Sequence, residues 1–206
     1  RLCTICTSGP RFESFRRDLA RYWSLDSKDG KPSVVEKLRI LFHSPQVQAI
    51  GRQVMYLDPD IITFQEIPMT NSGWAQMPNF VAAYRPGFYL ATNSGNDGFI
   101  RSCILSRYPI MRSQSWLDST DLKPFGYTNT STTLADNFTR DLFEAEIAVP
   151  DFAQRLHVFT THLKSGTSAS DDAAKRAAEA SAVSNFFVTV FLPGTNGAHP
   201  YLLTGD

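Results

Sequence analysis

Three short apolar segments of this chain end in polar residues that can take part in acid–base or metal chemistry. They cover residues 60–66, 156–162 and 201–206. Each is apolar until its last residues, which is typical of a buried strand that emerges at a functional edge. Ligands bind at the carboxyl ends of strands in α/β proteins, so these endings predict that Glu66, His162 and Asp206 surround one site.

Helical patterns alternate with such strands along the chain. Pro45 follows a serine and opens a stripe of apolar residues at helical spacing, which ends before Asp58-Pro59. A second helix is predicted from Ser170, where two aspartates occupy the first turn. Further strands are predicted over residues 2–7, 99–105 and 142–149. The alternation predicts an α/β fold, and no Gly-, Ser- or Pro-rich linker divides it.

The charge balance argues against one class of function. The 206 residues carry 20 Lys and Arg against 20 Asp and Glu, so the net charge is zero. Proteins that bind duplex nucleic acid without sequence preference usually carry a basic excess, because the phosphates they neutralise need cations. Any nucleic-acid role must therefore rest on a local site. No segment approaches the roughly 20 apolar residues of a membrane-spanning helix.

The three strand endings suggest a hydrolytic site. Alternation along the strands places Glu66 on the face of Ile62 and Phe64, and His162 on the face of Val158 and Thr160. Buried polar groups need a partner or a metal, and a carboxylate is a suitable ligand for Mg²⁺. An imidazole can move a proton or stabilise a phosphoryl oxygen, and a second carboxylate can orient water. The remaining histidines have no spacing partners and are predicted to be structural; they are His43, His157 and His199.

Six features resemble, in the same order, motifs of the endonuclease/exonuclease/phosphatase superfamily, which has a deoxyribonuclease-I-like fold. They are D-I-I-T-F-Q-E-I at 60–67, C-I-L-S-R-Y-P-I at 103–110, Arg140, T-H-L-K-S-G at 161–166, Arg176, and L-T-G-D at 203–206. The resemblance covers most of the chain. Each motif is short, and their shared order carries the inference.

The resemblance implies a four-layer α/β sandwich, in which two mixed β-sheets pack face to face with helices outside. It implies a single domain over 1–206 that lacks its C-terminal part, because the later motifs of the superfamily are absent after Asp206. Glu66 would bind Mg²⁺ or Mn²⁺. His162, Asp206 and Arg140 would be catalytic, with Arg140 and His162 also binding substrate.

The implied activity is that of a divalent-metal-dependent phosphoesterase, working as a monomer. The substrate would be a phosphodiester or phosphomonoester within a nucleic acid, a phosphoinositide or a phospholipid head group, as in nucleases, phosphoinositide phosphatases and sphingomyelinases. One departure favours an alternative. Cys6 stands where the superfamily usually has an asparagine, and a thiol is poorly suited to Mg²⁺. The alternative is a catalytically inactive member that acts as a binding or interaction domain.

Overall fold

The structure is a computed structural model that describes residues 2–5, 45–68, 71–93, 99–129, 135–166 and 170–206. Cys6 lies outside the described residues, as does an aromatic stripe over 12–23 whose spacing predicts an amphipathic helix. No helix among the described residues is both long and apolar enough to cross a membrane.

Eight strands form two mixed sheets of four strands each. The first sheet has the order β1-β2-β4-β3, with strands β1 Leu2–Ile5, β2 Ile61–Pro68, β3 Tyr89–Thr92 and β4 Ile100–Ser106. The second has the order β5-β6-β7-β8, with strands β5 Ile110–Ser115, β6 Leu142–Ile147, β7 Leu156–Thr161 and β8 Tyr201–Gly205. β1 pairs parallel to β2 and β7 parallel to β8, whereas the other neighbours are antiparallel.

Three helices accompany the sheets: α1 Pro45–Leu57, α2 Asn71–Tyr84 and α3 Ser170–Phe186. α1 ends as the sequence predicts, because Asp58 adopts a positive φ of 42° and is followed by proline. α3 continues through a π-helical turn, Phe187–Phe191, and a last turn, Leu192–Gly194. A short 3₁₀ helix, Lys123–Phe125, precedes β6.

Three apolar clusters show how the layers are stacked. The cluster between the sheets joins side chains of β2, β3 and β4 to side chains of β6 and β7; it includes Ile61, Ile104, Phe143 and Val158. A second cluster packs α1 and α2 on the outer face of the first sheet. A third packs α3 on the outer face of the second sheet, around Phe159. The described residues therefore form the four layers α, β, β, α, which confirms the predicted fold class.

The segment 103–110, which resembles a structural marker of the superfamily, carries the chain from one sheet to the other. It contains the end of β4, a turn and the first residue of β5. Arg107 in the turn pairs with Asp58 at 3.0 Å and with Asp60 at 2.8 Å, next to the start of β2. These ion pairs tie the crossover to the first sheet.

Three elements are absent from the prediction: α2, β3 and β5. Proline at position 78 interrupts the helical pattern of α2, so the sequence argues against a helix there. β3 has four residues, and β5 has no buried residue, so neither carries a strong apolar signal. Pairing with a neighbouring strand, rather than local pattern, makes them strands.

Candidate active site

The end of β2 departs from the predicted alternation. The pairing of β2 with β4 shifts register between Phe64 and Ile67, and Glu66 has a positive φ of 60°. Phe64 and Ile67 both pack against the helices, so the bulge inserts one extra residue between them. The prediction that Glu66 shares a face with Ile62 and Phe64, which the structure shows to be the helix-facing side, is therefore wrong. Its carboxylate lies beside the other sheet, with Oε1 3.8 Å from Nε2 of His162.

His162 lies on the predicted face of its strand. Val158 packs in the cluster between the sheets, and the Thr160 hydroxyl accepts a hydrogen bond from the first sheet. His162 follows two residues later, so its ring continues the side of β7 that faces β2. The side chain of His162 is 3% exposed and that of Glu66 is 12% exposed. An imidazole and a carboxylate thus meet at a nearly closed point between the two sheets.

One carbonyl group joins the three predicted strand endings. The carbonyl oxygen of Thr161 accepts a hydrogen bond from Nε2 of Gln65 at 2.9 Å and another from the backbone N–H of Asp206 at 3.3 Å. The carbonyl of Asp206 accepts in turn from the N–H of Leu163 at 3.0 Å, which sets Asp206 opposite His162. A carbonyl oxygen has two lone pairs, so it can serve both donors. The residues next to Glu66 and His162, and Asp206 itself, therefore meet at one edge.

Gly205 is required for this arrangement. A Cβ atom at this position would lie 2.3 Å from the Thr161 carbonyl oxygen, which is backbone and cannot swing away. The sequence motif therefore carries glycine here because β8 approaches β7 too closely for any side chain. The carboxylate of Asp206, immediately after it, is exposed at the end of the described chain.

Arg140 is buried below the end of β7. Its Nη1 donates to the carbonyl of His162 at 3.2 Å and to that of Leu163 at 2.8 Å. Arg140 thus supports the segment that carries His162. The next residue, Asp141, accepts a hydrogen bond from the Leu117 amide at 3.0 Å, and burial raises the pKa of its carboxyl above the ordinary value of 3.8.

The site offers few protein ligands for a cation. Among the described residues, no group of three or more His, Cys, Asp or Glu side chains is arranged to hold a metal ion. Glu66 still fits Mg²⁺ chemically, because this ion keeps several waters and commonly takes only one or two protein carboxylates alongside substrate phosphates.

Several residues that build the site were not predicted to belong to it. Gln65 and Gly205 lie within the quoted motifs, and their roles depend on contacts with Thr161 across the sheets and strands. Lys164 also lies within a quoted motif, T-H-L-K-S-G at 161–166, whereas Glu179 carries no separate signal in the sequence. Their functions rest on tertiary contacts.

A second polar cluster lies at the other end of β7. The buried carboxylate of Glu144 accepts from Trp116 Nε1 at 2.7 Å and from Arg112 Nη2 at 3.0 Å, and it lies 2.5 Å from Nδ1 of His157. Nε2 of His157 is 2.8 Å from Nδ1 of His199. Two of the three histidines predicted to be structural, His157 and His199, are therefore partners of each other in one network, and His43 lies outside the described residues.

Comparison with solved structures supplies the fold's identity. The chain superimposes on TDP2 from Caenorhabditis elegans with a TM-score of 0.53 and 15% identity, over 78% of this chain and 41% of that one. It matches an endonuclease/exonuclease/phosphatase family protein from Bacteroides thetaiotaomicron with a TM-score of 0.51 and 19% identity, over 78% of this chain and 52% of that one. The fold is that of the endonuclease/exonuclease/phosphatase proteins.

A mannosyl-6-phosphatase from Bacteroides thetaiotaomicron shares this endonuclease/exonuclease/phosphatase fold, with a TM-score of 0.52 and 19% identity, over 78% of this chain and 55% of that one. The chain thus spans about half the length of these solved chains, at 41%, 52% and 55%. No protein-family model and no curated protein matches the sequence. The predicted resemblance is confirmed for the fold, and the roles of the site residues stay predictions.

Proposed function

We propose that this protein is a divalent-metal-dependent phosphoesterase. The observation that carries the proposal is the meeting of Glu66 and His162, 3.8 Å apart, with the end of β8 that bears Asp206 alongside. The names of two structural neighbours, a mannosyl-6-phosphatase and an endonuclease/exonuclease/phosphatase family protein, share phosphate-ester chemistry and support it.

Each residue has a distinct part in the proposed reaction. His162, held at the closed end of the site, would donate a hydrogen bond to a non-bridging phosphate oxygen and stabilise the charge that grows in the transition state. Asp206, which is exposed, would accept a hydrogen bond from the attacking water and orient it. Arg140 would hold the His162 segment from below while its positive charge favours a phosphate nearby.

Glu66 would hold the metal ion. The bulge turns its carboxylate toward His162, so a phosphate bound by the imidazole would lie within reach of an ion on Glu66. When bound, Mg²⁺ or Mn²⁺ would supply Lewis-acid neutralisation of the phosphate and of the leaving group.

The substrate is proposed at the level of a phosphate ester: a nucleic acid, a phosphoinositide, a phospholipid head group or a sugar phosphate. The zero net charge argues against non-specific binding to duplex DNA. Monomeric action on such a substrate stays a prediction, as does the single domain over 1–206.

The experiment is a hydrolysis screen of the protein with Mg²⁺ and with EDTA. The substrates are DNA, RNA, phosphoinositides, sphingomyelin, a sugar phosphate and bis(p-nitrophenyl) phosphate. We expect hydrolysis of at least one substrate with Mg²⁺ and its loss with EDTA. The alternative, an inactive binding domain, predicts no hydrolysis under either condition.

Glu66→Gln tests the site within the same screen. The substitution keeps size and removes the charge, so kcat should fall by about a thousandfold, equivalent to about 4 kcal/mol of barrier. The melting temperature should change by only a few degrees, because Glu66 is at the rim of the core. Arg107→Gln is the control and should keep full activity, because Arg107 lies in the turn after β4 and pairs with Asp58 and Asp60 before the start of β2, whereas Glu66 lies near the end of that strand. Near-normal turnover of Glu66→Gln would show that this carboxylate does not hold the metal.

A further inference from the structure

One face of α3 holds the segment that follows His162. Asp172, Arg176 and Glu179 recur along α3 at spacings of four and three residues and therefore share one face. All three contact Lys164, two residues after His162. Asp172 Oδ1 is 3.0 Å from Lys164 Nζ, Arg176 Nη1 donates to the Lys164 carbonyl at 2.7 Å, and the Lys164 N–H donates to Glu179 Oε2 at 2.6 Å.

Glu179 also reaches the segment that carries Arg140. Its other oxygen, Oε1, accepts the backbone N–H of Thr139 at 2.8 Å. The Glu179 side chain is fully buried, with 0% exposure. The Glu179 carboxylate therefore bridges Thr139, the residue before Arg140, and Lys164 in the segment after His162. The same two segments are joined directly by the hydrogen bond from the Arg140 guanidinium to the His162 carbonyl.

We propose that Glu179 is a positioning residue that fixes Arg140 and His162 relative to each other. This inference deepens the proposed function and rests on it. A buried carboxylate is costly unless it is well hydrogen-bonded, and bonds from N–H donors to an ionised acceptor are strong and short. Neither Thr139 nor Lys164 presents its side chain to Glu179 in these two bonds. Both donors are backbone N–H groups, so the two hydrogen bonds fix the path of the backbone in both segments.

The charge of Glu179 is matched locally. Lys175, one helical turn earlier, is buried and donates from Nζ to the carbonyl of Ala135 at 2.9 Å. Burial lowers the pKa of the Lys175 ammonium, and the negative charge of Glu179 opposes that shift. The carboxylate of Glu179 thus has a cationic neighbour as well as two backbone N–H donors.

Replacement by glutamine separates this role from simple packing. The amide keeps the size of Glu179 but presents an NH₂ group to one of the two backbone N–H donors, so one bond is lost. In Glu179→Gln we expect kcat to fall about 10-fold or more while KM changes little, because small displacements of catalytic groups weaken transition-state contacts most. The matched control is Val183→Ala, one turn further along α3 in the apolar cluster around Phe159. It should lower the melting temperature with no loss of kcat.

Amide hydrogen exchange supplies a readout that needs no activity. In Glu179→Gln, the Thr139 or the Lys164 amide should exchange about 10-fold faster or more than in the wild type, and in Val183→Ala neither should change relative to the global rate. Equal losses of kcat in the two variants, or unchanged exchange at both amides, would overturn the proposal. If the wild type hydrolyses no phosphate ester, the proposed function fails. Exchange then still decides whether Glu179 holds the two segments together.

Discussion

Gln65 donates a hydrogen bond from Nε2 to the carbonyl oxygen of Thr161 at 2.9 Å, across the space between the two sheets. Gln65 precedes Glu66, and Thr161 precedes His162. The bond therefore joins the sheets at the residues immediately before the two groups of the proposed site. Nε2 of Gln65 also lies 3.2 Å from the hydroxyl of Thr160, so both amide hydrogens are used on β7.

Gln65→Leu should impair catalysis more than folding. Leucine fills the buried space but makes neither bond, so the distance between Glu66 and His162 is no longer held. We expect kcat on bis(p-nitrophenyl) phosphate to fall about 10- to 100-fold, since displacements near 1 Å can have effects of that size. Thr63→Val is the control, because it removes another bond between the sheets, the 3.3 Å contact with Thr204, and Thr63 lies two residues before Gln65 on β2. Equal kcat in both variants would refute the argument.

Gly205→Ala should separate β8 from β7 at the site. The new Cβ would lie 2.3 Å from the carbonyl oxygen of Thr161, so the strands must move apart and the Asp206 backbone bond must break or lengthen. We expect a melting temperature lower by several degrees and kcat reduced at least about 10-fold. Gly194→Ala is matched to it, because a Cβ there meets nothing within 4 Å. Gly194→Ala should keep the melting temperature and kcat of the wild type. A Gly205→Ala variant with wild-type values would contradict the close approach of β8 to the Thr161 carbonyl.

The Glu144 network should matter for stability and leave catalysis unchanged. Glu144→Gln removes the charge from a buried acceptor of Arg112, Trp116 and His157, and we expect a loss of about 3 kcal/mol in the free energy of unfolding. His157 lies five residues from His162 along β7, or about 16 Å, so kcat measured below the melting temperature should not change.

Glu146→Gln provides the comparison on the same strand. Glu146 pairs with Arg112 and Arg155, which are 41% and 50% exposed, so solvent screens these pairs. Loss of the Glu146 charge should lower the free energy of unfolding, measured with urea, by at most about 1 kcal/mol. A large loss of kcat in Glu144→Gln alone would give the His157–His199 pair a part in catalysis.

Asp141 should make stability depend on pH. Burial raises the pKa of its carboxyl above 3.8, so the folded protein keeps a proton that the unfolded chain has already released. Its contribution is therefore most favourable below pH 3.8 and declines as the pH rises through the folded-state pKa. The Asp141→Asn variant should not show this loss of stability with rising pH, because asparagine has no titratable proton in this range. Urea unfolding at about pH 4 and about pH 7 should show the variant gaining stability relative to the wild type at the higher pH. A constant difference would contradict the raised pKa.

Local patterns determined the α/β class, the helix that begins at Pro45 and the three strands that end in polar residues, because burial on one or both faces leaves a periodic apolar signal. The order of the motifs likewise predicted the fold that the structural comparisons confirm. The periodic apolar signal could not predict the side of the sheet on which the Glu66 side chain lies. It depends on a bulge with a positive φ that alternation cannot anticipate.

Only the tertiary structure decided which groups meet. The double acceptor at the Thr161 carbonyl, the requirement for glycine at 205 and the bridge made by Glu179 each join segments far apart along the chain. Such contacts follow from how the two sheets and α3 pack, and a single sequence records the residues without recording their partners. The strand endings could therefore be predicted as a site, whereas the bonds that hold the site in place could not.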